Sequence, residues 1–214
     1  MSYHHKILVY ACVAIALFQK ITIAQDKSEN FSTIGLDVGY FFPYGEWNQH
    51  RYAQGIDQFV GGYYISGVFS YRFQPRLGAL AYAFYSPIDM SDWEKYAQNQ
   101  GDAITASAYA TGMLLGMQVY LLEQKPNLLS IDLNWGWIYL SGKETYEEFS
   151  YKYDFLKSSL AVALGIGYNL LLSENFAFAL TARGFYVFKG INYSDGESYD
   201  VIMLPVTAGI RYLF

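Results

Sequence analysis

The stretch Val201–Phe214, VIMLPVTAGIRYLF, decides how the rest of the chain is read. Ile202, Leu204, Val206, Ala208, Ile210, Tyr212 and Phe214 fall at alternate positions, with Thr207, Gly209 and Arg211 between them. A period of two is the mark of a strand whose two faces meet different surroundings. One of those surroundings is apolar. With no later element to cover that face, the cover is expected to come from closure of the fold or from lipid.

Working back along the chain, the same rhythm recurs. Strand one sets Ile34, Leu36, Val38, Tyr40 and Phe42 against Thr33, Gly35, Asp37 and Gly39. Strand two, Phe59 to Phe73, sets Tyr63, Ile65, Phe69, Tyr71 and Phe73 against Val60, Gly62, Ser66, Ser70 and Arg72. Strand three opposes Leu80, Tyr82 and Phe84 to Ala79, Ala81 and Ala83. Strand five opposes Leu129, Ile131, Leu133, Trp135, Trp137 and Tyr139 to Ser130, Asp132, Asn134 and Gly136. Strand six alternates from Leu160 to Leu170 with small residues between. Strand seven sets Phe176, Phe178, Leu180, Tyr186 and Phe188 against Ala177, Ala179, Thr181, Arg183 and Val187. Ala103 to Leu122 is uncharged and contains the GxxxG run Gly112–Gly116, so a transmembrane helix competes there with a strand. The strand reading is preferred. It makes the count eight, whereas a helix would leave seven strands, an odd number for an ordinary bacterial barrel. Pro205 cannot donate to a ladder and is expected to mark a bulge or a frayed rim.

The connections sort by length. Gln74-Pro75-Arg76, Glu123 to Asn127 and Ser173-Glu174-Asn175 are tight turns, while Pro43 to Gln58, Pro87 to Ala103, Ser141 to Asp154 and Lys189 to Asp200 are long loops. The chain resembles the small outer-membrane β-barrel proteins of the OmpA/OmpX type. The resemblance rests on the terminal signature Ala208, Ile210, Tyr212 and Phe214 and on this strand rhythm. It implies an all-β fold, an eight-stranded antiparallel transmembrane up-and-down barrel. It also implies that Ile210, Tyr212 and Phe214 form the signal read by the barrel-assembly machinery, and that short turns face the periplasm. Lipid cannot satisfy unpaired backbone groups, so a lipid-facing sheet must close without edges. Eight strands leave a lumen that side chains can fill, which accounts for the Gly, Ala, Ser and Thr on the second faces.

At the other end, Lys6 precedes a 12-residue uncharged run, Ile7 to Phe18, followed by small residues at Thr22 and Ala24. That run is short of the roughly 20 residues a membrane-spanning helix needs. Residues 1–24 are therefore expected to be a secretory signal peptide, with residues 25–214 forming the barrel domain. An alternative lipoprotein reading would use Cys12. Removal of Lys6 and Lys20 takes Lys+Arg from 14 to 12 against 19 acids, a net charge of −7. It also removes the single cysteine, so no disulfide is expected. The composition, 53% hydrophobic and 19% aromatic with 15% charged, is too apolar for disorder. The 22 tyrosines suit the girdles of a membrane barrel. Nothing in the charge invites nucleic acid.

Chemistry is sparse. His50, in the first long loop, is the one histidine of residues 25–214 and has no nucleophile motif beside it. No spaced His or Cys set suits a metal, so no catalytic residue, metal or cofactor is expected. On the inward faces, Asp37, Arg72, Asp132, Arg183 and Arg211 are expected to form a luminal charge cluster. In it Asp37 lies between Arg72 and Arg211, and Asp132 pairs with Arg183. The loops mix aromatics such as Trp47, Trp93, Tyr151 and Tyr193 with acids, a composition found at interaction surfaces. The expected function is that of an integral Gram-negative outer-membrane protein with a structural or surface-interaction role. Its partners would be outer-membrane lipid and lipopolysaccharide, the assembly machinery, and an extracellular or envelope protein held by the loops. An accessory barrel of an envelope secretion or assembly complex, a narrow porin-like pore and a lipid A-modifying enzyme are the alternatives.

Overall fold

A computed structural model describes residues 31–44, 61–99, 104–146, 151–192 and 198–214. Its elements are β1 (Ser32–Tyr44), β2 (Gly62–Gln74), β3 (Leu77–Ile88), α1 (Ser91–Asn99), β4 (Ile104–Gln124), β5 (Asn127–Tyr146), β6 (Tyr151–Leu171), β7 (Phe176–Asn192) and β8 (Ser198–Leu213). The strands form one closed antiparallel barrel in sequence order. Closure joins β1 to β8 from Thr33↔Leu213 to Tyr44↔Ile202, so no edge of the sheet faces lipid along that seam. At the end carrying the short turns, the Ser32 N–H donates to the Phe214 carbonyl at 2.9 Å and the Phe214 N–H returns the bond at 3.0 Å. The expected signal peptide, residues 1–24, lies outside the described residues.

The contested fourth segment is a strand, paired with β3 through Leu77↔Val119 and with β5 as far as Ile104↔Tyr146. Its glycines serve close strand approach, not helix packing. A Cβ on Gly116 would stand 2.1 Å from the Leu133 carbonyl oxygen, and one on Gly112 would stand 2.7 Å from the Phe84 ring.

Alternation sorts the side chains as expected on most strands. Leu36 and Leu164 are 65% and 63% exposed on the outside, while Leu114 and Ile138 are fully buried within. Strand β3 reverses the expectation of a lumen lined by small residues. Leu80, Tyr82 and Phe84 are buried inside, and the alternating alanines face out. Inward Phe41, Tyr64 and Phe185 join them. Stacked rings fill the middle of the barrel, with centroids 5.1 Å apart for Tyr64–Phe84 and 5.4 Å for Phe84–Phe185.

The long connections differ from their expected bounds. The third is mostly ladder: β5 runs to Tyr146 and β6 starts at Tyr151, with Lys143 opposite Asp154. The fourth is shortened too, because β7 continues to Asn192 and pairs with β8 through Asn192↔Ser198. The second contains α1, a helix that alternation could not signal. Met90 and Ala97 are buried in the core, and Glu94 Oε1 accepts the Ala106 N–H at 2.6 Å, tying the helix to β4. Pro205 sits within β8 opposite Phe41, away from any rim, and the register of the β1–β8 seam continues through it. On the other side the ladder passes from Ala182↔Val206 to Phe185↔Met203, leaving Pro205 unmatched where its missing N–H would have been needed.

Candidate functional site

The lumen is where sequence and fold bring buried charges together, and glycines make the room. Asp37 stands opposite Gly209 on β8, and Arg211, two residues along, stands opposite Gly35 on β1. A Cβ on Gly209 would lie 2.0 Å from Asp37 Oδ1, and one on Gly35 would lie 2.7 Å from the Arg211 side chain. Each charged group thus lies over the bare backbone of the other's strand. Arg211 donates to Asp37 from both terminal guanidinium nitrogens, Nη1 to Oδ1 at 2.5 Å and Nη2 to Oδ2 at 2.8 Å. Such bidentate pairing is the strong form of a charge-assisted bond.

The second pair uses a glycine differently. Asp132 on β5, Gly165 on β6 and Arg183 on β7 stand in one lateral row. Arg183 reaches over Gly165, where a Cβ would come within 2.6 Å of Asp132 Oδ2, and its Nε donates to Asp132 Oδ1 at 3.2 Å. Asn134 Nδ2 donates to the same oxygen. Buried charges require this kind of pairing and hydrogen bonding.

Arg72 does not join the cluster, which corrects the expectation that it would flank Asp37. The register pairs Asp37 with Ser66, six residues from Arg72 along β2, a separation of about 20 Å at roughly 3.3 Å per residue. Arg72 instead lies at the short-turn end. It donates from Nη1 to Glu123 Oε1 at 2.8 Å, from Nε to the Gln74 carbonyl at 3.3 Å, and from Nη2 to the Pro75 carbonyl. Its Cζ sits 5.2 Å from the Phe31 ring centroid and 4.9 Å from that of Tyr120. A register shift between Tyr120 and Leu122 places Glu123 opposite the buried Leu128, so that it meets Arg72 from the inward side at the short-turn end. The Arg72 hydrogen bonds and charge lower its carboxyl below the usual carboxylate range.

The lumen therefore has two zones. Toward the short-turn end Thr33 and Ser70 share a hydrogen bond of 2.7 Å, Gln118 Nε2 donates to Ser130 at 2.8 Å, and the Tyr120 hydroxyl meets Gln118 Oε1 at 3.1 Å. Toward the long loops Leu114, Ile138, Leu140, Val187, Val201 and Met203 are buried with the stacked rings. The sequence reading missed Tyr64 and Phe185 as lumen residues. Their signal was available, since each sits at an inward position of an alternating strand.

Outside, Ile210, Tyr212 and Phe214 are 60%, 43% and 63% exposed. Tyr212 packs against Phe176 at 5.3 Å and Phe214 at 6.2 Å, giving an aromatic rim at the short-turn end. A second rim follows from Tyr85–Tyr109 at 5.9 Å, Tyr109–Tyr139 at 6.1 Å and Tyr40–Tyr63 at 6.1 Å. Between the rims lies a band of exposed Leu, Ile, Val and Met. His50, Trp47 and Tyr193 lie outside the described residues.

An apolar band between two aromatic rims around a closed eight-stranded barrel defines a transmembrane β-barrel. Solved structures carry the same fold. The attachment invasion locus protein Ail of Yersinia pestis superposes with a TM-score of 0.57 at 14% identity, covering 87% of this chain and 100% of that one. Neisserial surface protein A matches with a TM-score of 0.54 at 10% identity over the same shares, 87% and 100%. A major outer membrane protein of Thermus thermophilus gives 0.59 at 12% identity, again over 87% and 100%. Identities this low establish the shared fold alone. No family model and no curated protein matches the sequence.

Proposed function

We propose that this protein is an integral outer-membrane barrel with a structural or surface-interaction role, acting through its loop end and not as a channel or enzyme. The observation that carries the reading is the filled lumen: the Tyr64, Phe84 and Phe185 rings, with Leu114 and Ile138, occupy its middle. A lumen packed with these rings argues against passage of solutes the size of sugars or amino acids. Of the solved structures compared above, one is described as a major outer membrane protein, one as an attachment invasion locus protein and one as a surface protein, which supports this reading. The apolar band and the short turns agree with insertion from the periplasm. Ile210, Tyr212 and Phe214 would serve as the assembly signal, and the loop aromatics as the contact surface for a protein or glycan outside the cell.

Planar-bilayer recording of the refolded protein tests the channel question, with no unitary conductance expected. Steady single-channel steps that disappear on Phe185→Trp would refute the sealed-barrel reading. Catalysis is tested separately by mass spectrometry of lipid A from an expressing strain. A modified species that depends on this protein and is lost in His50→Ala would establish an enzyme instead.

A further inference from the structure

The short-turn half of the lumen encloses a cavity to which every strand of the barrel contributes lining residues. Phe31, Leu171 and Leu213 stand half-buried at its mouth, whereas Asp132, Thr181, Arg183 and Arg211 in its wall are buried. At the inner end Arg183 Cζ lies 4.6 Å from the Tyr82 ring centroid, and Tyr82 packs against Phe185 at 6.1 Å. The cavity leaves about 30 Å³ in which the centre of a water-sized molecule can move. One water needs roughly 10–15 Å³ by that measure, so the space suits about two waters or one ion of about three heavy atoms.

The Arg183 guanidinium in this wall is only partly satisfied. Its Nε donates to Asp132 Oδ1 at 3.2 Å, while Nη1 and Nη2 have no hydrogen-bond partner among the described residues. Arg183 is 6% exposed, and the buried donors of a charged group need acceptors. Arg211 lines the same cavity, but Asp37, which accepts from both its terminal nitrogens, does not. Asp132 is the carboxylate of the wall, and its Oδ1 is held by Arg183 and Asn134. Its Oδ2 lies against the Gly165 backbone, where a Cβ would come within 2.6 Å. The wall thus offers two guanidiniums and one carboxylate whose charge is already engaged. Such a wall opposes a cation. A carboxylate fits it, because two coplanar oxygens match the end-on fork of Nη1 and Nη2.

We propose that this cavity is a dead-end binding site for a small carboxylate of the size of formate, entering from the short-turn end and held by Nη1 and Nη2 of Arg183. Arg211 adds a second positive charge to the site. The site does not depend on the loop-end role proposed above.

Titration of the full chain in detergent micelles with sodium formate, against sodium chloride at matched ionic strength, tests the site. Arginine Nε–H signals in NMR spectra are the readout. A saturating shift is expected at Arg183 and a smaller one at Arg211, with the exposed Arg76 of the first short turn unmoved. No saturating shift at Arg183, or a shift matched at Arg76 or by chloride, overturns the proposal. Ligand that binds only the folded state must also stabilise it, so formate at ten times its dissociation constant should raise the folding equilibrium constant about eleven-fold. Ala177→Leu places a larger side chain in the cavity and keeps both arginines, and it should abolish the saturating shift. An undiminished shift in that variant overturns the cavity as the site. The wild-type titration does not require the variant to fold and decides the proposal by itself.

Discussion

Replacing Asp37 by alanine removes one half of the Asp37–Arg211 pair and leaves the other half stranded. Arg211 is 6% exposed and Asp37 is fully buried, so water cannot take over the lost contacts. Two charge-assisted hydrogen bonds, at 2.5 and 2.8 Å, disappear together. What the guanidinium keeps is a contact to the Ile210 carbonyl at 3.4 Å. Removing one partner of a buried pair costs roughly 3–5 kcal/mol, most of it from the uncompensated charge that remains. Asp37→Ala is therefore expected to fall in that range, whereas an exposed substitution away from such features changes stability by roughly 0.5 kcal/mol or less. Unfolding titrations with urea from lipid or detergent provide the measurement. A double-mutant cycle with Arg211→Met should show coupling of about 1–3 kcal/mol, while the cycle with Arg72→Met should be additive within about 0.5 kcal/mol, because Arg72 shares no partner with Asp37. Coupling of Asp37 to Arg211 near zero, or equal coupling to both arginines, would refute the pairing derived from the register.

Glycine substitutions test the seats of the two pairs. Gly209→Ala and Gly165→Ala bring a Cβ to 2.0 Å from Asp37 Oδ1 and 2.6 Å from Asp132 Oδ2, and each should lower stability by about 1–3 kcal/mol. Gly67→Ala, whose Cβ would meet nothing within 4 Å, is the control and should be neutral within about 0.5 kcal/mol by the same titration. The Arg72–Glu123 pair should add a small pH dependence. Arg72 lowers the Glu123 carboxyl, so its contribution is full above the unfolded carboxylate pKa and is lost as pH falls through the lower, folded value. With Glu123 41% exposed, solvent screening limits that contribution to about 1 kcal/mol or less, and Glu123→Gln should flatten this part of the stability profile. Deleting Phe214 should reduce the folded, heat-modifiable barrel recovered from outer membranes, and recovery at wild-type level would remove the assembly-signal role.

The strands themselves were legible in the sequence because a period of two is a local property. Ile210, Tyr212 and Phe214 need only their neighbours to declare a face, and eight such faces with short and long connections define a closed barrel. Alternation, however, reports only that two faces differ. On β3 both candidates were apolar, the alanines and the set Leu80, Tyr82 and Phe84. Closure decided between them, because the large side chains fill space opposite Phe185 inside the barrel. Where β5 and β6 continue past the expected start of the loop, apolar contrast fades from the sequence, and a ladder running to Lys143↔Asp154 read as a loop. The charges show the same division. Inward placement of Asp37, Asp132, Arg183 and Arg211 followed from parity along each strand. Their partners depended on register between strands far apart in the chain: Gly209 beside Asp37 admits Arg211, Gly165 lets Arg183 reach Asp132, and about six residues of β2 carry Arg72 away to Glu123. Parity is written in each segment, but register is a relation between segments, so only the closed sheet determines which opposite charges come within hydrogen-bonding distance.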